Sequence, residues 1–283
     1  MCACCACCAC CAFPKGALLV DPLENMSSLA EKRFIFTVTT GRTGTGYLAH
    51  LLGIFRDTLT FHEPDPSYVS CMREAQADRE VARSFLLETK LPVIARQAVR
   101  PIYIETSHLF CEGFLEPWLE IPELPVPDLI LLEWNLREIA LSFLSLHDVP
   151  GRSEKGLRFL LAPWDPTCLT GLEDWQSLAD YQLLYWYCLE IEERKKRYRA
   201  MILERGGRCL RTSIEQIQSI GGILAARKGL ALRPLTVRGW LAYFKRRKSK
   251  INAKTASKAD VVFDPQLLQD WEDEVRRRLI VKS

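Results

Sequence analysis

The chain has 283 residues, of which 48% are hydrophobic and 26% are charged, as in ordinary globular proteins rather than in fibrous or low-complexity chains. Its 38 basic and 35 acidic residues leave a net charge of only +3, which excludes a general basic field for holding nucleic acid. We therefore expect no nucleic-acid partner, and any bound anion must be held locally by a few residues.

The sequence contains no run of about 18 apolar residues, the length that a membrane-spanning helix needs. Its first residues also lack the order of charged and then apolar residues that is typical of a signal peptide. These observations predict a cytoplasmic protein without a membrane partner.

Seven of the 12 cysteines lie within residues 2–11, in a repeating Cys-Ala-Cys pattern. No histidine accompanies them and their spacing is more regular than that of zinc ligands, so a disordered tail is favoured over metal binding or S-acylation. The other five are isolated among apolar neighbours and are typical of buried thiols in a reducing compartment. We expect residues 1–30 to form this tail and a lead segment, and residues 31–283 to form a single α/β domain.

Strands and helices alternate along the predicted domain. Residues 34–39 are β-branched and aromatic, which predicts a buried central strand, and a helix follows from about Gly44. A second strand over residues 59–61 ends at the loop 62–66, because two prolines there prevent its continuation. The periodic, charged segment 67–87 predicts a further helix.

The C-terminal half continues this alternation. Strands are predicted over residues 101–105 and 128–132, and Asn135 is a candidate N-cap of the helix that follows. The remaining predicted elements are a loop over about 148–172, a long helix over about 173–204, a strand over 209–212, and helices near 236–248 and 264–280. This order predicts a parallel central sheet with helices on both faces and a helical C-terminal extension, with a ligand site at the carboxyl ends of the strands.

A glycine-rich turn joins the first strand to its helix, with the sequence Thr40-Gly41-Arg42-Thr43-Gly44-Thr45-Gly46-Tyr47. Glycines let the backbone approach an anion, amides at a helix start point toward it, and the helix dipole adds about 0.3–1 kcal/mol of attraction. Arg42 supplies a positive fork, and Thr43 and Thr45 supply hydroxyl donors. The turn therefore predicts a binding site for a phosphate group of a nucleotide.

Two common nucleotide-binding classes fit this turn less well. A nucleoside-triphosphate P-loop needs Gly-Lys-Ser/Thr after its second glycine, whereas Tyr47 follows Gly46 here. A dinucleotide-binding Rossmann loop has a similar glycine pattern, but reductases with such an opening usually carry Tyr-x-x-x-Lys, and no tyrosine here precedes a lysine by four residues. An NAD(P)-dependent reductase remains an alternative.

The turn resembles the 5′-phosphosulfate loop of sulfotransferases, which reads basic residue, Ser/Thr-Gly-Thr, then usually Thr and an aromatic residue. The matching segment here is Arg42-Thr43-Gly44-Thr45-Gly46-Tyr47, with Gly46 where a hydroxyl is commoner. The resemblance implies a P-loop-like three-layer α/β sandwich. It also implies transfer of a sulfuryl group from the co-substrate 3′-phosphoadenosine 5′-phosphosulfate, without a metal, to a hydroxyl or amine of a small-molecule or carbohydrate acceptor.

The second nucleotide-binding element of that family is a strand, an arginine, and a helix with a serine eight residues after the arginine, which together hold the 3′-phosphate. Residues 129–143 have this shape, and Ser142 stands at the serine position. Trp134 stands where the arginine is expected. Either Arg137, one helical turn away, compensates, or the chain is a nucleotide-binding relic of the family that has lost catalysis.

Sulfuryl transfer also needs a base to take the proton of the acceptor. His108 follows the third strand, where cytosolic sulfotransferases have their catalytic histidine, and Glu63 follows the second, where other branches use a glutamate. The two candidates are equally well placed in the sequence. The basic run at residues 244–250 is a further candidate, for covering the 3′-phosphate.

Overall fold

The computed structural model describes residues 27–249 and 263–282. The predicted Cys-Ala tail lies outside these residues, as does Lys250 at the end of the basic run. The strands are, in chain order, β1 (Arg33–Val38), β2 (Thr58–Phe61), β3 (Ile102–Glu105), β4 (Asp128–Glu133), β5 (Thr170–Leu172), β6 (Cys209–Ser213) and β7 (Leu279–Val281).

The α-helices that the structure describes in full are α1 (Thr45–Leu52), α2 (Met72–Ala77), α3 (Arg79–Ser84), α4 (Leu91–Gln97), α5 (Leu115–Leu119), α6 (Leu136–Leu144), α7 (Glu154–Phe159), α8 (Asp180–Glu204), α9 (Ile214–Ile217), α10 (Ile220–Gly229), α11 (Val237–Arg246) and α12 (Pro265–Arg278). Short 3₁₀ turns occupy Tyr68–Ser70, Leu109–Cys111 and Trp175–Ser177, and a π-helical segment, Phe85–Lys90, joins α3 to α4.

Five strands form one parallel sheet in the order β2-β3-β1-β4-β6, which confirms the predicted α/β class with a parallel central sheet. From β1 the chain passes to β2 at the edge of the sheet, returns to β3 between β2 and β1, and then crosses to β4 on the other side of β1. A reversal of this kind leaves a crevice at the carboxyl ends of the strands beside β1. The order differs from the 3-2-1-4-5-6 order of dinucleotide-binding folds, in which β2 rather than β3 adjoins β1.

Both faces of the central sheet are buried. Side chains of each strand point alternately to its two faces, and apolar side chains are buried on each of them. Phe34 and Phe36 face a large aromatic core against α8, whereas Ile35 faces a second core built with α1, α10 and α11. Helices therefore cover the sheet on both sides, as the near-continuous apolar strands predict.

The predicted N-cap of α6 is confirmed, since the side chain of Asn135 accepts a hydrogen bond from the backbone amide of Glu138. The single helix predicted over residues 67–87 is wrong. Asp78 is extended (φ −136°, ψ 113°) and caps a new helix, which continues through the π-helical segment to Gln97. A capping aspartate inside a periodic segment competes with helix continuation and explains the break.

The predicted loop 148–172 contains α7 and β5, and the long helix begins at Asp180 rather than near residue 173. β5 pairs antiparallel with β7 near the end of the chain, a contact between segments too distant for local sequence patterns to indicate. The predicted stop of α8 is confirmed, because Gly206 adopts a left-handed conformation with φ of 79°.

The cysteines within the described residues form no disulfide, and Cys111, Cys168 and Cys188 are buried. Burial raises the pKa of the Cys111 thiol to about 12, so this thiol is inert at neutral pH. None of the helices in the described ranges combines the length and the apolar character that crossing a bilayer requires.

Candidate functional site

The turn after β1 lies at the crevice left by the strand reversal, and its backbone is unusual. Gly41, Arg42 and Gly44 all have positive φ angles, of 76°, 56° and 87°. Glycine adopts this conformation readily, whereas for an arginine it is strained and persists only where the surroundings enforce it. Gly44 is the N-cap of α1 and provides no side-chain acceptor.

The amides of this turn point at no acceptor among the residues that the structure describes. The first backbone bond of α1 runs from the amide of Leu48 to the carbonyl of Gly44, at 2.9 Å. Among the described residues, the amides of residues 42–47 donate no hydrogen bond to another group. A row of such amides at a helix N-terminus, beside the exposed Arg42 side chain, is suited to bind an anion.

Buried hydroxyls hold the turn in place. The hydroxyl of Thr43 lies 2.7 Å from that of Thr39. The hydroxyl of Thr106, after β3, donates to the carbonyl of Thr45 at 2.9 Å, and that of Tyr187, on α8, donates to the carbonyl of Thr40 at 3.0 Å. The predicted donor Thr43 therefore has an internal partner and supports the shape of the turn.

The structure brings the two predicted nucleotide-binding elements together. Arg42 Nε donates to Ser142 Oγ at 3.2 Å, across 100 residues of sequence. On the other side of the turn, a side chain at Gly44 would meet Ile214 after β6, since an added Cβ would lie 2.9 Å from its Cγ1. The turn after β1, helix α6 after β4 and the start of α9 after β6 thus converge near the start of α1.

The two predicted bases form a pair. His108 Nδ1 lies 2.9 Å from Glu63 Oε1, and His108 Nε2 lies 3.2 Å from the carbonyl oxygen of Phe159. The side chain of His108 is only 12% exposed, whereas that of Glu63 is 36% exposed. Burial disfavours the charged imidazole, but the hydrogen bond with the Glu63 carboxylate outweighs this cost, so the pKa of His108 is raised above its ordinary value of 6.5.

This pair lies against the turn. A Cβ added to Gly41 would be 3.3 Å from Cγ of His108, so the imidazole ring fills the space that a side chain at Gly41 would need. An anion at the turn and a proton acceptor at the pair would therefore be neighbours, as a group-transfer site requires.

Trp134 lies in a different environment from the one expected of a phosphate-binding arginine. It is 37% exposed, and its indole Nε1 donates to Glu138 Oε2 at 2.7 Å. It lines a hollow of about 490 Å³, together with Glu133, Asn135, Leu136, Glu138, Glu192, Arg211, Ser213 and Glu215. Arg211 pairs with Glu133, and Glu192 pairs with Lys195, so Glu138 and Glu215 give the hollow its negative charge.

Comparison of the chain with family models, with curated protein sequences and with solved structures finds no match. The described residues also contain no group of three or more His, Cys, Asp or Glu side chains arranged to hold a metal ion. A functional assignment therefore depends on the geometry of the site.

Arg137 is not directed toward the turn. Its guanidinium binds Glu272 on α12 through Nε at 2.7 Å and Nη2 at 3.1 Å, and Nη2 also donates to Gln269. Compensation for Trp134 by Arg137 would require this salt bridge to break.

The described part of the basic run packs on the far end of α1. Arg246 Nη1 donates to the carbonyl of His50, in the last turn of that helix. The phenol of Tyr47 donates to the carbonyl of Arg247, so its side chain joins α1 to the end of α11 and only its amide belongs to the row of amides in the turn. The side chains of Tyr47 and Arg246 are therefore both directed away from the amides of the turn.

Sequence reasoning missed the residues that hold the Glu63 loop. Lys90 is 1% exposed, and its ammonium donates to the carbonyls of Pro64 and Pro66 and to Glu105 Oε1, at 3.1, 3.0 and 3.0 Å. A single lysine in a charged helical segment gives no sign that it is buried, so the sequence contains no signal for this role.

Proposed function

We propose that this chain is a sulfotransferase with a P-loop-like arrangement of its nucleotide site. It transfers a sulfuryl group from 3′-phosphoadenosine 5′-phosphosulfate to a hydroxyl or amine of a small-molecule or carbohydrate acceptor. The observation that carries the proposal is the contact of Arg42 with Ser142 near the start of α1, where the amides of the turn have no acceptor within residues 27–249 and 263–282.

In this proposal the amides of residues 42–47 and the Arg42 guanidinium bind the 5′-phosphosulfate. As the S–O bond to the phosphate breaks, negative charge grows on the leaving phosphate oxygen, next to these donors. Donors that are already in place stabilise such charge without reorganisation, which is usually the largest contribution to catalysis of this kind.

The hydrogen bonds of His108 indicate how the basic pair divides its roles. A carbonyl oxygen only accepts, so Nε2 must carry a hydrogen directed at Phe159, and a charged imidazole then donates from Nδ1 to the Glu63 carboxylate. We assign Glu63, the more exposed member, as the base that takes the proton when the acceptor oxygen or nitrogen attacks sulfur. His108 orients it.

The sheet order weighs against the reductase alternative, because β3 lies where a dinucleotide-binding fold has β2. The relic alternative has one observation in its favour. Trp134 and the surrounding carboxylates would repel a 3′-phosphate rather than bind it. Loss of one charge-assisted contact, worth roughly 1.5–3 kcal/mol, weakens binding by about one to two orders of magnitude.

A melting-temperature screen with adenosine 3′,5′-bisphosphate, NADPH and ATP separates these functions, because a ligand at about 100 times its Kd stabilises the native state by about 2.7 kcal/mol. We expect stabilisation by the bisphosphate, and its loss in Arg42→Ala. The matched control is Arg96→Ala, an exposed arginine on α4 outside the site. Stabilisation by NADPH alone would overturn the proposal. Bisphosphate binding without transfer from labelled donor to a broad acceptor panel would establish the relic.

A further inference from the structure

A buried carboxyl group lies behind the turn, connected to it through one phenol. Glu112 follows the 3₁₀ turn Leu109–Cys111 and is wholly buried, as is Tyr187 on α8. The phenol oxygen of Tyr187 lies 2.5 Å from Glu112 Oε1 and 3.0 Å from the carbonyl oxygen of Thr40. The other carboxyl oxygen, Oε2, has no hydrogen-bond partner in the described part of the chain.

The protonation state of Glu112 decides which hydrogen bonds can form between Glu112, the Tyr187 phenol and the Thr40 carbonyl. A phenol carries one hydrogen, and two acceptors compete for it when Glu112 is ionised. The carboxylate is the stronger acceptor, so it takes the hydrogen and the carbonyl of Thr40 loses its donor. When Glu112 is protonated, Oε1 donates to the phenol oxygen, and the phenol donates to Thr40.

The protonated arrangement fits the burial of Glu112 better. An unpaired carboxylate oxygen is far more costly to bury than the carbonyl oxygen of a neutral acid. Burial raises the pKa of Glu112 to about 7, although His108 from the same loop, Tyr187 and Arg194 from α8, and Arg73 from α2 all act to lower it. The neighbouring thiol of Cys111 is uncharged at neutral pH.

We propose that Glu112 and Tyr187 are positioning residues for the anion-binding turn, and that the turn keeps its binding geometry only while Glu112 holds a proton. Thr40 directly precedes Gly41, and the His108 ring fills the side-chain space of Gly41, so release of the Thr40 carbonyl loosens the start of the turn. Raising the pH through the ionisation of Glu112 therefore weakens anion binding. This consequence rests on the proposed function, whereas the coupling of Glu112 to the turn does not.

Glu112→Gln and Tyr187→Phe test the proposal separately. The amide of glutamine donates to the phenol at every pH, so anion binding by Glu112→Gln stays tight and loses the pH dependence that Glu112 causes. Tyr187→Phe removes the donor to Thr40, so its Kd for adenosine 3′,5′-bisphosphate rises about tenfold at low pH and changes little at high pH. Calorimetric titrations from about pH 5.5 to 8.5 measure both.

A ligand-free measurement keeps the proposal independent of the sulfotransferase assignment. In protein labelled with ¹⁵N-glycine, the amide resonances of Gly41 and Gly44 should shift as the pH is raised. The midpoint of this shift should equal the pH at which half of the infrared band of the protonated Glu112 carboxyl has disappeared. Both Glu112→Gln and Tyr187→Phe should abolish that shift. The proposal would be overturned if the Gly41 amide of the two variants shifted with pH as it does in the wild-type protein. It would also be overturned if Glu112 were ionised throughout the pH range. Failure to bind the bisphosphate at any pH would overturn the proposed function alone.

Discussion

His108 Nδ1 lies 2.9 Å from Glu63 Oε1, so two residues that follow different strands act as one unit. β2 and β3 are adjacent and parallel, which places their carboxyl ends, and the loops after them, side by side. The buried ammonium of Lys90 fixes the loop after Glu63 through the carbonyls of Pro64 and Pro66. The distance between Glu63 and His108 therefore depends on the fold and not only on their own hydrogen bond.

The pairing predicts unequal effects of two substitutions. Glu63→Gln should lower the rate of sulfuryl transfer by about 10²–10⁴-fold, because it removes the base. His108→Gln should lower it less, since the carboxylate remains. Binding of adenosine 3′,5′-bisphosphate, measured by calorimetry, should be nearly unchanged in Glu63→Gln. A larger loss of rate in His108→Gln than in Glu63→Gln would reverse the assignment of the base.

The same pair predicts a pH-dependent stability. The pKa of His108 is raised above 6.5 in the folded state, mainly because its hydrogen bond to Glu63 overcomes the cost of burial. The stability that this bond contributes is fully present below pH 6.5 and is lost as the pH rises through the raised pKa. NMR titration of the imidazole should show a lower midpoint in Glu63→Gln. An unchanged midpoint would contradict the bond.

Gly41 should be intolerant of any side chain. Gly41→Ala imposes a left-handed conformation on alanine, at a cost of about 1–2 kcal/mol, and presses its Cβ toward the His108 ring. Gly206→Ala is the matched control, because Gly206 has a similar φ of 79° and nothing within 4 Å of an added Cβ. Both variants should lose stability in denaturant titrations, but only Gly41→Ala should lose bisphosphate binding. Equal binding by the two would place the anion elsewhere.

Local signals in the sequence were sufficient for the five strands of the central sheet and for the turn, because a buried strand, a glycine pattern and a helix start are contiguous, but not for β5 and β7. They were insufficient for side-chain contacts between elements that are distant in the sequence. Glu63 and His108 are 45 residues apart, and Arg137 meets Glu272 across 135 residues. Periodicity indicates which residues face a core, but not which neighbouring element supplies the partner charge.

Trp134 is the residue whose replacement tests the resemblance most directly. Trp134→Arg should tighten binding of adenosine 3′,5′-bisphosphate by about 10–100-fold, because it adds a charge-assisted contact. Glu138, which now accepts from the indole, would compete for the new guanidinium, so Trp134→Arg with Glu138→Gln should show the larger effect. Adenosine 5′-monophosphate is the control ligand and should bind no tighter. Unchanged bisphosphate affinity in both variants would show that the 3′-phosphate does not approach β4.

The buried Lys90–Glu105 pair predicts a large effect on stability. Lys90→Met leaves the Glu105 carboxylate buried, with Tyr103 as its remaining hydrogen-bond donor in the described part of the chain, and should lower the free energy of unfolding by about 3–5 kcal/mol. Adding Glu105→Gln removes the uncompensated charge and should recover part of this loss. Denaturant titrations of the single and double variants measure the coupling. A double variant less stable than Lys90→Met would contradict it.

Glu112 predicts a loss of stability as the pH rises, whereas ordinary acid denaturation is a loss of stability as the pH falls. In the folded chain it keeps its proton up to about pH 7, whereas in the unfolded chain the carboxyl ionises near its ordinary pKa of 4.5. Between these values the folded state binds more protons, so the free energy of unfolding falls as the pH rises, by about 3 kcal/mol in all. Glu112→Gln should remove this decline while leaving the loss of stability in acid intact. If denaturant titrations of this variant fall with the wild-type slope between pH 4.5 and 7, Glu112 is ionised in the native protein and another group causes the decline.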